Sequence, residues 1–137
     1  MAQLGDGVVA LPEDARTREH LEWVADQVVA ADGSAVLLRA QTLTRKDERA
    51  LAEAMSQSRA AEYLDLVAQA SRLNTPTNNP AEATRVLRRL RKDLRAIQKR
   101  DYFPPAARDD AVAEVNRLAM AIKDPQRASG TLLEQQA

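Results

Sequence analysis

The sequence predicts an α+β fold, a small strand-helix-strand unit followed by three helices, and three observations predict it. Two short apolar runs, residues 7–12 and 35–39, are bounded by glycine or proline as buried strands are, and a helical period lies between them. From Thr44 onward apolar residues recur at three- and four-residue steps. Between Arg85 and Arg100, eight of the twenty basic residues crowd around one acid, Asp93, and sort to one side of a helix.

Each element has its own signals. The first strand is Gly7-Val8-Val9-Ala10-Leu11-Pro12. Asp14 is placed to cap the first helix, whose apolar positions Leu21, Val24, Val28 and Ala31 lie on one stripe; Gly33 stands where a left-handed C-terminal cap belongs. The second strand, residues 35–39, would return by the right-handed parallel crossover that is the default for strand, helix, strand. Two strands make a poor sheet. In a ferredoxin-like arrangement a further strand separates these two, so either they pair directly, or a second chain fills the gap, or the sequence belongs to a longer protein. Exposed strand edges with Val8, Val9, Val36 and Leu38 predict a homodimer.

Thr44, with Asp47 three residues on, starts a helix whose apolar face is Leu51, Met55, Tyr63, Leu66, Val67, Ala70 and Leu73, with a break expected near residues 56–58. Residues 75–80 read as a loop. Asn79, Pro80 and Glu82 then occupy the cap, first and third positions of the basic helix, which should run to about Tyr102. Pro104 and Pro105 force a corner. A last helix spans about residues 106–123, with Val112, Val115, Leu118, Ala119 and Ile122 on one side. The tail, residues 127–137, lacks periodicity and reads as mobile. The expected organisation is thus one domain over residues 1–126, made of a unit at 1–44 and a helical region at 45–126.

Composition narrows the function. A chain of 137 residues suits one small domain. Its net charge is zero but unevenly spread: residues 1–44 hold three Arg against seven Asp and Glu. Absence of cysteine removes disulfides and thiolate chemistry, and no run approaches the roughly 20 apolar residues that span a bilayer, so a cytoplasmic location is expected. No nucleophile, base and orienting group converge, which argues against an enzyme. His20, the one histidine, has no carboxylates at ligand spacing, so no metal site and no cofactor is expected. Asp109 and Asp110 suit a helix N-terminus rather than acid–base chemistry. Gly5-Asp6-Gly7 precedes a strand, the wrong context for a phosphate loop.

The candidate site is the basic helix. At about 100° per residue, Val86, Leu87, Leu90, Leu94 and Ile97 form one stripe, and Arg88, Arg91, Lys92, Arg95 and Lys99 lie opposite. A one-signed face of this kind attracts phosphates, which makes duplex DNA the expected partner and these five residues its expected contacts. The competing interpretation is a protein-interaction or assembly module, whose basic helix pairs with an acidic partner or with Glu19, Glu22 and Asp26 of its own first helix. Tyr102 and Phe103 flank the proline corner and are expected to lock the packing of the last two helices, with Phe103 between them; the alternative is a base-stacking role. Trp23 lies off the first helix's stripe and is expected to cover the helical bundle, the alternative being an exposed interface anchor.

In order, Gly7-Val8-Val9-Ala10-Leu11-Pro12, Gly33-Ser34-Ala35-Val36-Leu37-Leu38, Ser58-Arg59-Ala60-Ala61-Glu62-Tyr63, Leu87-Arg88-Arg89-Leu90-Arg91-Lys92-Asp93-Leu94 and Arg100-Asp101-Tyr102-Phe103-Pro104 resemble the N-terminal domain of chromate-resistance regulators. The resemblance spans roughly residues 7–122, and its most specific piece is the Arg-rich helix ending in Asp-Tyr-Phe-Pro. It implies a bacterial cytoplasmic regulator of a metal-oxyanion resistance operon, acting in transcription regulation, with a ferredoxin-like half distantly similar to one in phenylacetate-type repressors. Family members usually open with a further strand and helix and often continue into a C-terminal domain; this sequence matches a short form without either. Chromate or a similar oxyanion could be held by arginine pairs, although no pocket for it is legible in the sequence.

Overall fold

A computed structural model of the chain describes residues 1–73 and 79–123. Its elements are β1 (Ala2–Gly5), β2 (Val8–Ala10), α1 (Ala15–Ala30), α2 (Arg45–Arg72), α3 (Pro80–Lys99) and α4 (Ala107–Lys123). The α+β class and the three consecutive later helices are as expected. The chain divides into two compact units, with the boundary between Met55 and Ser56.

In the first unit the sheet is not the one expected. β1 pairs antiparallel with β2, matching Ala2 with Ala10, Gln3 with Val9 and Gly5 with Val8, with an irregularity between Gln3 and Gly5. Residues 35–39 form no strand, so the parallel strand-helix-strand, ferredoxin-like pairing is corrected to a local hairpin. The physical reason is loop closure: a short Asp6-Gly7 turn brings β1 and β2 together at small entropic cost, and Gly7, with φ 75, supplies the left-handed residue. A crossover through α1 must close a far longer loop.

The ends of α1 are both built from local hydrogen bonds. Asp14 accepts from the Thr17 amide at 2.8 Å, and the Asp14 amide donates to Thr17 Oγ1 at 3.1 Å, completing a reciprocal cap. The Thr17 hydroxyl also donates to the Pro12 carbonyl at 2.6 Å, which ties the helix start to the end of the hairpin and explains why this polar residue is buried. At the other end the Gly33 amide donates to the Val28 carbonyl and the Asp32 amide to that of Val29, a Schellman closure. The left-handed residue is Asp32, at φ 63, rather than Gly33 as expected. Gly33 is required for a different reason, since a Cβ there would lie 2.7 Å from Val28 Cγ1 and 3.0 Å from the Val28 carbonyl oxygen.

Thr44 starts α2 as predicted, its Oγ1 accepting from the Asp47 amide at 3.1 Å and donating to the Asp47 carboxylate at 2.7 Å. The break expected near residues 56–58 is absent, and α2 is continuous from Arg45 to Arg72.

The second unit holds the hydrophobic core. Tyr63, Leu66 and Ala70 of α2 pack with Leu87, Leu90, Leu94 and Ile97 of α3 and with Ala111, Val115, Leu118 and Ala119 of α4, flanked by half-buried Val67, Leu73, Val86, Val112 and Ile122. The helical period selected most of them; Ala111 is an addition, and Leu51 and Met55 of the expected α2 face lie outside this cluster. Asp109 and Asp110 occupy the first turn of α4. Most of the loop expected before Asn79, and the whole tail at 127–137, lie outside the described residues.

Candidate nucleic-acid interface

The site begins with how α3 is started and held. Asn79 caps it, its side chain accepting from the Glu82 amide at 3.3 Å, and Pro80 fills the first turn, where its missing amide costs nothing. The helix ends at Lys99 with Arg100 as its C-cap, three residues short of the expected Tyr102. Ala83, Leu87, Leu90, Leu94 and Ile97 are buried along one stripe. That burial fixes the rotation of α3 about its axis and leaves its other side in water.

Arg88, Arg91, Lys92, Arg95 and Lys99 are all exposed there. From residue 88 to residue 99 they span roughly 16 Å at 1.5 Å rise per residue. Arg85 and Arg89 extend the exposed charge, and Arg89 donates to Gln69 of α2 at 3.4 Å. Among the described residues, no hydrogen bond or ion pair engages the side chains of Arg88, Arg91, Lys92 or Arg95. Glu22 pairs with Arg18 one turn away in its own helix, at 3.0 Å. Five cations at helical spacing make a surface on which several phosphates can be neutralised together, the arrangement on which salt-dependent binding depends.

A polar junction that sequence reasoning missed secures the C-terminal end of α3. Tyr63 of α2 is fully buried and donates to Asp101 Oδ2 at 2.8 Å. Burial first, and then this hydrogen bond to a carboxylate, hold the phenol well above its ordinary pKa, so it stays neutral. Next to it, Glu62 Oε1 lies 3.0 Å from Arg100 and its Oε2 lies 3.0 Å from Arg59 of the same helix. The Arg59 contact is a charge pair without hydrogen-bond alignment, and Asp101 Oδ1 is buried with no partner among the described residues. Both halves of the junction were visible as sequence fragments, residues 58–63 and 100–104. Nothing in their spacing revealed that they meet.

One aromatic expectation is corrected. Phe103 is 39 % exposed rather than enclosed between the last two helices, because α3 stops early and the corner carries it outward. Trp23 is 60 % exposed, and its ring stacks with that of His20, centroids 6.4 Å apart. Among the described residues no helix is long and apolar enough to cross a membrane.

No curated protein and no solved structure matches the chain. A family model described as "Protein ChrB, N-terminal" matches residues 1–127, nearly the whole sequence, and it agrees with the resemblance read from the Arg-rich helix and its Asp-Tyr-Phe-Pro ending. The chain therefore belongs to the ChrB N-terminal family, a family related to chromate resistance.

Proposed function

We propose that this protein is a non-enzymatic regulator in chromate resistance that binds duplex DNA through the face of α3 carrying Arg88, Arg91, Lys92, Arg95 and Lys99. The observation that supports this reading is the exposed, one-signed row of cations opposite a buried stripe, with Arg88, Arg91, Lys92 and Arg95 making no ion pair among the described residues. Long cationic side chains on such a row serve phosphate contact and positioning, which give affinity that is largely independent of base sequence.

The test is a salt titration of DNA binding. Affinity should fall steeply with salt, and Arg91→Gln with Arg95→Gln should reduce the logarithmic slope by about 0.9 for each lost phosphate contact. Both residues are exposed, so circular dichroism should stay unchanged. No binding at about 50 mM salt, or a double variant that keeps the full slope, would overturn the reading in favour of an acidic protein partner.

A further inference from the structure

The first unit leaves two complementary features unsatisfied. Among the described residues β2 is paired only with β1, and no strand lies on its other edge. Residues 34–43 form no strand and make no backbone hydrogen bond among the described residues. Val36, Leu37 and Leu38 of that segment are all exposed, at 80 %, 46 % and 85 %. At its far end Arg39 forms an exposed ion pair with Glu13, three residues beyond β2.

We propose that residues 35–38 of one copy add as a strand to the open edge of β2 in a second copy, reciprocally, forming a strand-exchanged homodimer. A second copy is favoured over a foreign strand because each chain carries both the open edge and the unpaired segment. One two-fold contact therefore satisfies both features twice, whereas a foreign strand on β2 leaves residues 35–38 unpaired. Leu4, Val8, Val9, Val36, Leu37 and Leu38, all exposed, give such a contact the apolar centre that a standard interface of about 800 Å² per partner needs. The proposal does not depend on DNA binding.

Sedimentation equilibrium of the full chain, up to roughly 1 mM, the weak limit of specific association, should show a dimer. Val36→Lys with Leu38→Lys, at positions exposed in the single chain, should weaken the dimer at least tenfold (about 1.4 kcal/mol) while leaving circular dichroism unchanged. Independently of that variant, hydrogen exchange on the unaltered protein should show amide protection at residues 8–10 and 36–38 rising with protein concentration. A monomer throughout the range, equal dimerisation by the lysine variant, or protection that does not follow concentration would overturn it.

Discussion

The hydroxyl of Tyr63 reaches Asp101, 38 positions further along the chain, at 2.8 Å, and so joins the middle of α2 to the residue just past the C-cap of α3. A fully buried phenol with one charged acceptor does two things at once. It fills core volume between the helices, and it satisfies a carboxylate oxygen that would otherwise be orphaned.

Tyr63→Phe should therefore cost about 1 to 3 kcal/mol, because it leaves the buried side of Asp101 without its donor. The alkaline limb of the stability profile should change as well. The folded state raises the phenol's pKa above its unfolded value of 10.0, so the stability this group contributes is complete below about pH 10 and is lost as pH rises towards the folded value. Chemical denaturation between neutral pH and about pH 11 should show this decline in the native protein and a flatter limb in Tyr63→Phe.

The acid limb should report Asp14. The Thr17 amide, its main partner, holds this carboxyl below its ordinary value of 3.8. A depressed folded pKa means that the cap's contribution is complete above the unfolded value and fades as pH falls through the folded one. Asp14→Asn keeps the acceptor and abolishes the titration, so helicity measured by circular dichroism should fall less steeply with acid in the variant.

Gly33 and Asp32 should respond in opposite directions. Gly33→Ala forces a Cβ against the Val28 carbonyl and should destabilise by roughly 1 to 3 kcal/mol, as overpacking does. Asp32→Gly removes the cost of a left-handed L-residue and partly offsets it with chain entropy, so a small gain is expected. Thermal unfolding of the two variants distinguishes them.

Leu90 and Phe103 test where the core ends. Leu90 is fully buried in the three-helix cluster, so Leu90→Ala should cost about 2 to 5 kcal/mol. Phe103→Ala, at a partly exposed corner, should cost less than the 3 kcal/mol or so that marks a buried phenylalanine. Denaturant midpoints for the pair give the comparison.

Much of the second unit is legible in the sequence because one physical signal dominates there. Leu87, Leu90, Leu94 and Ile97 have one dry side to occupy, and the cations have no alternative to water. The first unit is less legible. Residues 35–38 have the composition of a strand, but strand formation needs a neighbour, and composition does not say whether one is present. The Asp6-Gly7 pair between Gln3-Leu4 and Val8-Val9 carries the hairpin signal, but β1 and β2 are too short to show a clear two-residue alternation. The Tyr63–Asp101 junction was illegible for another reason: a single hydrogen bond spanning 38 residues leaves no periodic trace. Phe103 lies beyond the end of α3 at Lys99, so no helical period sets which way it points.

The sorting of charge along α3 makes the molecule an electrical object that its total charge conceals. At pH 7 the formal charges cancel, so the protein should scarcely migrate in an electric field. The same protein should nevertheless be retained by a sulfonate or phosphate resin, because a surface senses the patch within a screening length of about 10 Å, not the sum over the chain. Its behaviour on a column and its behaviour in a gel should therefore disagree.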